Sequence, residues 1–174
     1  MPSQQQCILS SRRVHELARQ WLEPLKMAEP TTAGGTSVVI RILFLAAARI
    51  SSVGAVCRDL STGPCDQTVY NALAQMLPED IDRLQRRLNA CLRSQLPPKL
   101  LRRQRVVALD WTLIPYHGEP FEDERELFHS QARAGTTKFH AYATAFVCEN
   151  GYRYTLAVRR VTAGTSTQAI VQDL

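Results

Sequence analysis

Apolar residues recur every three to four positions through the first hundred residues, and this period predicts amphipathic helices. Serine, threonine and aspartate residues precede several of the apolar stripes, where their side chains can cap a helix. Proline and glycine separate one stripe from the next. The predicted helices cover residues 11–26, 37–50, 53–60, 66–77 and 79–96. The second is apolar on nearly all sides, which indicates a central position in a helical bundle.

The pattern changes after a stretch of prolines and arginines at residues 97–105. A short β-branched run at 106–109 and two longer segments, 139–148 and 152–161, predict three strands. Asn150 and Gly151 separate the last two strands and favour a tight hairpin. A helix is expected to begin at Thr165. The sequence therefore predicts an α+β fold, with a helical region at 1–100 and a sheet region at 104–174.

The net charge of +5 is unevenly distributed along the chain. Residues 1–105 hold 15 Lys and Arg against 8 Asp and Glu, a net charge of +7, whereas residues 106–174 have a net charge of −2. A basic first half fits a polyanionic partner, because Lys and Arg displace the counterions condensed on phosphates. A solvated basic surface without a partner fits the charge equally well.

Cysteine spacing and hydropathy give no sign of an extracellular or membrane protein. The five cysteines are odd in number and include no C-x-x-C pair, so neither a zinc site nor a disulfide framework is indicated. The first ten residues lack the apolar core of a signal peptide. The longest apolar stretch, 38–48, is too short to span a bilayer. These features predict a cytoplasmic protein.

Two short predicted helices between residues 51 and 77 are joined by a turn that contains Gly63, which is the outline of a helix-turn-helix. In that motif the second helix enters the major groove, where Gln and Asn can hydrogen-bond to adenine. The polar candidates for DNA contact on the second helix are Gln67, Thr68, Asn71 and Gln75. An ordinary bundle with polar residues facing water explains the same pattern.

A basic run follows, from the last predicted helix into the proline-rich stretch. Its candidates for phosphate contact are Arg86, Arg87, Arg102 and Arg103. Phosphate contacts position a protein on DNA without reading its sequence. The alternative is a solvated helix face.

Asp110 directly follows the apolar run 106–109. A carboxylate at the end of a buried strand is costly unless it is paired or bound to a cation. Mg²⁺ offers that compensation, since it is commonly held by one or two carboxylates and substrate phosphates. The alternative is an aspartate that has left the sheet and caps a turn.

Three segments in the second half resemble insertion-sequence DDE transposases. VALDWTLIPYHG at 107–118 resembles the segment that holds the first catalytic aspartate. GTTKFHAYATAF at 135–146 is similar to the second strand in a branch of that family, and RYTLAVR at 153–159 to the third. The helical first half is consistent with the family's DNA-binding region.

The resemblance implies the opening of a ribonuclease H-like domain: three strands, then a helix, with a fourth strand and a later helix expected beyond them. It assigns Asp110 to the first of three metal-binding carboxylates and Mg²⁺, or Mn²⁺, to the complete site. No residue matches the second or third carboxylate. Asp173 lies on the helix before the expected fourth strand, so a surface position is expected for it.

The leading functional prediction is DNA transposition by a truncated and inactive family member, with duplex DNA at transposon ends as its partner. The main alternative is a non-catalytic regulator that occupies those ends and inhibits an intact transposase. A structure-specific nuclease on the same fold and a gene remnant are further alternatives. Because the domain is expected to be incomplete, apolar sheet surface should be exposed and favour association with another copy or with the full-length enzyme.

Overall fold

The computed structural model describes residues 10–31, 35–102, 104–119, 123 and 126–173. Within these ranges the chain is α+β, with seven α-helices and one four-stranded antiparallel sheet. It forms two compact units that divide between Arg87 and Leu88, inside the fifth helix. The change from helices to strands comes later, between residues 102 and 108.

The first unit is a helical bundle. Its helices are α1 (Ser11–Leu22), a 3-10 turn (Glu23–Leu25), α2 (Gly35–Arg49), α3 (Val53–Asp59), α4 (Asp66–Met76) and the start of α5 (Ile81–Ser94). The predicted central position of α2 is confirmed, because α2 packs against α1, α3 and α4. Buried side chains from α2, α3 and α4 form one core, which includes Val39, Ile42, Val56, Val69 and Met76.

Capping side chains and a proline-containing turn set the ends of several helices. The hydroxyls of Ser10 and Ser52 cap α1 and α3 by accepting backbone N–H groups. Pro24 lies in the 3-10 turn that ends the first helical segment, and Lys26 then adopts a left-handed φ of 49°. Asp66, which precedes the apolar stripe of α4 and was expected to cap it, is instead the first helical residue, and Cys65 is the cap residue.

Within the described ranges, no single helix combines the length and apolar character needed to cross a bilayer. Helices α2 and α3 reach that character only as a pair bent by 104°.

The second unit contains the rest of α5 and α6 (Pro98–Leu101), then β1 (Ala108–Pro115), β2 (Phe128–Arg133), β3 (Thr136–Glu149), β4 (Tyr152–Val161) and α7 (Thr167–Asp173). The long strand β3 is central: β1 pairs along one side, and β2 and β4 pair with successive parts of β3. Asn150 and Gly151 form the predicted turn, with φ of 52° and 79°, as a tight type I′ hairpin requires.

Two strand predictions are wrong. The first strand is not the buried run 106–109 but Ala108–Pro115, which is largely exposed, and Val106 before it is 90% exposed. Seven of its eight residues are exposed, as fits a strand at the edge of the sheet. The polar strand β2 was missed altogether, because its sequence FHSQAR lacks an apolar run.

The two faces of the sheet differ in burial. On one face β3 contributes a column of small and apolar residues, from Phe139 to Val147, that is fully buried. Ile170 of α7 packs on that face together with Ala141, Ala143 and Val161. The opposite face carries the alternate residues of β3, which are only half-buried, and it also carries Asp110.

Candidate nucleic-acid interface and carboxylate site

Helices α3 and α4 pack on each other and on α2, and residues 60–65 connect them. Gly54 of α3 is buried, and a Cβ atom there would lie 3.1 Å from the Asp66 carboxylate. A glycine at this position therefore lets the first turn of α4 approach α3 closely. The pair has the order of a helix-turn-helix, with α4 as its second helix, and its connection at residues 60–65 is longer than the three or four residues usual in that motif.

The four polar candidates on α4 divide into two groups. Gln67 and Asn71 are exposed one turn apart, and the Gln67 amide donates to Asn71 Oδ1 at 2.9 Å. Thr68 is half-buried and within 3.1 Å of Cys65 Sγ, while Gln75 Oε1 accepts from the backbone N–H and hydroxyl of Thr31. Thr68 and Gln75 each contact a residue outside α4, whereas Gln67 and Asn71 bond to each other on its exposed surface, so Gln67 and Asn71 are the side chains best placed to reach a ligand.

Cys65, the cap residue of α4, has a thiol with a lowered pKa. The Thr68 hydroxyl and backbone N–H hydrogen-bond to its sulfur and lower the pKa of the Cys65 thiol. Burial raises the pKa of the nearby Cys57 thiol on α3, and the Asp66 carboxylate raises it further. The exposed cysteine is therefore the more readily ionised of the two.

The basic candidates also differ in their surroundings. Arg86 is exposed, with its guanidinium 3.9 Å from Asp80, and Arg102 is exposed as well. Arg87 is half-buried and donates to the carbonyls of Leu25 and Lys26 at 3.0 and 3.3 Å. These bonds tie α5 to the end of the 3-10 turn, a structural role that leaves Arg87 less suited to phosphate contact. Arg103 lies outside the described residues.

Asp110 is the third residue of β1 and not, as predicted, a residue beyond the end of a buried strand. Its side chain is 51% exposed, so the argument from the cost of burying a carboxylate does not apply to it. Its carboxylate accepts hydrogen bonds from both terminal nitrogens of Arg153, at 3.4 and 3.5 Å. Asp110 thus already has a cationic partner in the protein.

Register explains why these two residues meet. Asp110 pairs with Thr144 across β1 and β3, and Arg153 pairs with Cys148 across β3 and β4, which places all four on one face. The guanidinium of Arg153 also donates to Thr144 Oγ1 at 3.2 Å, and its carbon lies 3.7 Å from the centre of the Phe146 ring. Asp110, Thr144, Phe146 and Arg153 form what we call the arginine cluster.

Sequence reasoning missed Arg153, although the alternation of β4 carries the signal. Once β3 and β4 are recognised as a hairpin turning at Asn150 and Gly151, the residue opposite Cys148 falls on the half-buried face. An arginine there can reach a carboxylate on the strand beyond β3. The contact joins residues 43 positions apart, so predicting it from the sequence requires the strand order as well as the register.

The cluster does not fit the metal pair that the family resemblance implies. Within the part of the chain that the structure describes, no three His, Cys, Asp or Glu side chains are grouped so that they could hold a metal ion. Asp173 is 57% exposed, as expected for a surface residue, and pairs with Arg159. Asp110 is the residue to which Mg²⁺ or Mn²⁺ was assigned, and one carboxylate already paired with an arginine is a poor donor set for two cations.

Comparisons of the chain with protein-family models, with curated proteins and with solved structures find no match.

Proposed function

We propose that the chain functions in DNA transposition, with the α3–α4 pair binding duplex DNA. The observation that carries the proposal is the exposed polar face of α4, where Gln67 and Asn71 stand one turn apart at the N-terminal half of the helix. In a helix-turn-helix these are the positions that reach base edges. Arg86 and Arg102 are exposed and would contact phosphates.

The sheet unit supports placing the chain among DDE transposases. Three strands, β1, β3 and β4, form an antiparallel array with β3 in the middle, and α7 follows them. The sequence resemblance implies three strands followed by a helix, and β2 is an additional strand that it does not imply. Asp110, the residue assigned to the first catalytic carboxylate, lies on β1 with its side chain accessible.

A non-catalytic regulator at transposon ends is the second candidate, and the arginine cluster favours it. Two-metal phosphoryl transfer needs several carboxylates around the reacting phosphate. Asp110 instead is paired with Arg153, and the described residues contain no group of three potential ligands. On this account the chain occupies DNA without cutting it, and so competes with an intact enzyme.

Selection of bound sequences from a random duplex pool tests the proposal. Wild-type protein should enrich a defined sequence, and Asn71→Ala should relax the preference at one or two positions, at a cost of about 1–3 kcal/mol each. Arg86→Ala is the matched control: it should weaken binding to all sequences alike. Identical selections by wild type and by Gln67→Ala/Asn71→Ala would rule out α4 as the reading helix.

A further inference from the structure

The half-buried face of the sheet presents the arginine cluster to solvent. The side chains of Asp110 and Arg153 are 51% and 46% exposed. Their hydrogen bonds, at 3.4 and 3.5 Å, are long compared with the roughly 2.8 Å typical of a charge-assisted pair. An exposed and loosely paired guanidinium gains little from its carboxylate and can exchange it for another anion.

The guanidinium is nevertheless held in one place. It lies over the ring of Phe146, 3.7 Å from the ring centre, and Thr144 Oγ1 accepts one of its N–H groups. Stacking and hydrogen bonding fix the plane of Arg153, so little side-chain entropy remains to be lost when an anion binds. A planar, pre-oriented guanidinium is suited to the paired oxygens of a phosphodiester.

Aromatic surface accompanies this cation on the same face. Tyr142 lies two residues before Thr144 on β3 and is likewise half-buried. Proteins that bind single-stranded nucleic acids combine cations along the backbone with aromatic side chains on which bases stack. The face therefore matches a single strand better than it matches a groove of a duplex.

We propose that this face binds a single strand of DNA, with Arg153 on a backbone phosphate that displaces the Asp110 carboxylate from the guanidinium. The proposal deepens the proposed function and rests on it, since it names a second DNA-binding surface besides α4. It makes Asp110 an inhibitory partner of Arg153: removing the carboxylate should strengthen binding.

A matched pair of variants separates this effect from a general change in charge. Asp110→Asn and Asp173→Asn each remove one negative charge that is paired with an arginine. Arg159, the partner of Asp173, is only 19% exposed and also donates to the Ala169 carbonyl. Only the first variant therefore frees an accessible guanidinium.

The experiment is fluorescence anisotropy of a labelled oligothymidylate of about twelve nucleotides, a length within the range that single-strand-binding folds cover. With the full chain, Asp110→Asn should tighten binding by about three- to tenfold, while Asp173→Asn changes it by less than about twofold. The gain should disappear in Asp110→Asn/Arg153→Gln and persist in part in Asp110→Asn/Arg153→Lys. A gain that is equal in the two aspartate variants, that survives Arg153→Gln, or that is absent would overturn the proposal.

A duplex oligonucleotide measured in parallel keeps the two DNA surfaces distinguishable. If α4 binds duplex DNA as proposed, Asn71→Ala should weaken duplex binding and leave the effect of Asp110→Asn on the single strand unchanged. If the wild-type chain does not bind the duplex, the proposed function is contradicted. If Asp110→Asn does not bind the oligothymidylate more tightly than wild type in an Arg153-dependent way, this inference is contradicted.

Discussion

Asn89 of α5 accepts the backbone N–H of Val158, on β4, with its side-chain oxygen at 2.8 Å. The asparagine is buried, with 8% of its surface exposed, in an otherwise apolar stretch of the helix. A buried amide carbonyl paired with a strand N–H satisfies two groups that would otherwise be costly to bury. This bond joins the C-terminal part of α5 to β4 within the sheet unit.

Replacing Asn89 with Ala should therefore destabilise the sheet unit by about 1–2 kcal/mol, since it leaves the backbone N–H of the half-buried Val158 without its acceptor. Urea unfolding followed by circular dichroism measures the change. Ala90→Ser, at the exposed neighbouring position, is the control and should stay within about 0.5 kcal/mol of wild type. Equal stability of the two variants would show that the Asn89 bond contributes nothing.

Changing Arg87 to Ala should lower stability, whereas changing the adjacent Arg86 to Ala should weaken DNA binding and leave stability nearly unchanged. Arg87→Ala removes the hydrogen bonds to the Leu25 and Lys26 carbonyls and should cost about 1–2 kcal/mol of stability. Arg86→Ala removes an exposed side chain and should leave stability within about 0.5 kcal/mol, while weakening DNA binding. Parallel unfolding and DNA titrations compare them, and a reversed pattern would contradict the assigned roles.

The helices were largely predictable because their apolar stripes follow a 3.6-residue period, and the same stripes pack in the core of the bundle. Strand β4 was predicted at its observed bounds, Tyr152–Val161, because the Asn150-Gly151 turn fixes where it begins. Strand β1 was misjudged because its apolar start suggested burial, whereas an edge strand can be apolar and exposed. The strand β2 carries no apolar run, so only its pairing with β3 defines it.

The candidate sites were predictable to different degrees. The polar face of α4 follows from helical spacing, so Gln67 and Asn71 were identified from sequence alone. The hydrogen bonds of Gln75 to Thr31 and of Arg87 to the Leu25 carbonyl could not be predicted from the sequence, because the partners lie 44 and 62 residues away. Asp110 was identified by its position after an apolar run and by resemblance, but its pairing with Arg153 depends on strand order.

Cys65 should react with iodoacetamide at lower pH than an ordinary cysteine. Thr68 lowers the pKa of the Cys65 thiol in the folded chain, so the thiolate forms, and alkylation accelerates, at a lower pH than in the unfolded chain. Thr68→Val should shift the rate profile of Cys65 upward in pH. Mass spectrometry of the alkylated peptides gives the rates, with the buried Cys57, whose pKa is raised, as the slow internal comparison. A profile indifferent to Thr68→Val would refute the role of its hydroxyl.

Metal-dependent cleavage by the 174-residue chain is not expected. Among the residues that the structure describes, Asp110 belongs to no group of three potential ligands, and its pairing with Arg153 leaves it unsuited to positioning two cations on a phosphate. Supercoiled plasmid incubated with the protein and Mg²⁺ or Mn²⁺ should therefore remain intact. Nicking that disappears in Asp110→Asn would show that further ligands complete the site. Nicking that persists in that variant would remove Asp110 from the assignment.

Binding of the intact chain to duplex DNA, titrated at about 50 and 200 mM salt, tests the central claim most directly. If basic side chains around α4 and α5 neutralise several phosphates, affinity should fall steeply, by at least about tenfold, between the two salt concentrations. Asn71→Ala should bind a selected sequence more weakly than wild type with the same salt dependence, because it removes a base contact and no phosphate contact. An absence of binding at the lower salt concentration, or an affinity unaffected by salt, would contradict the account.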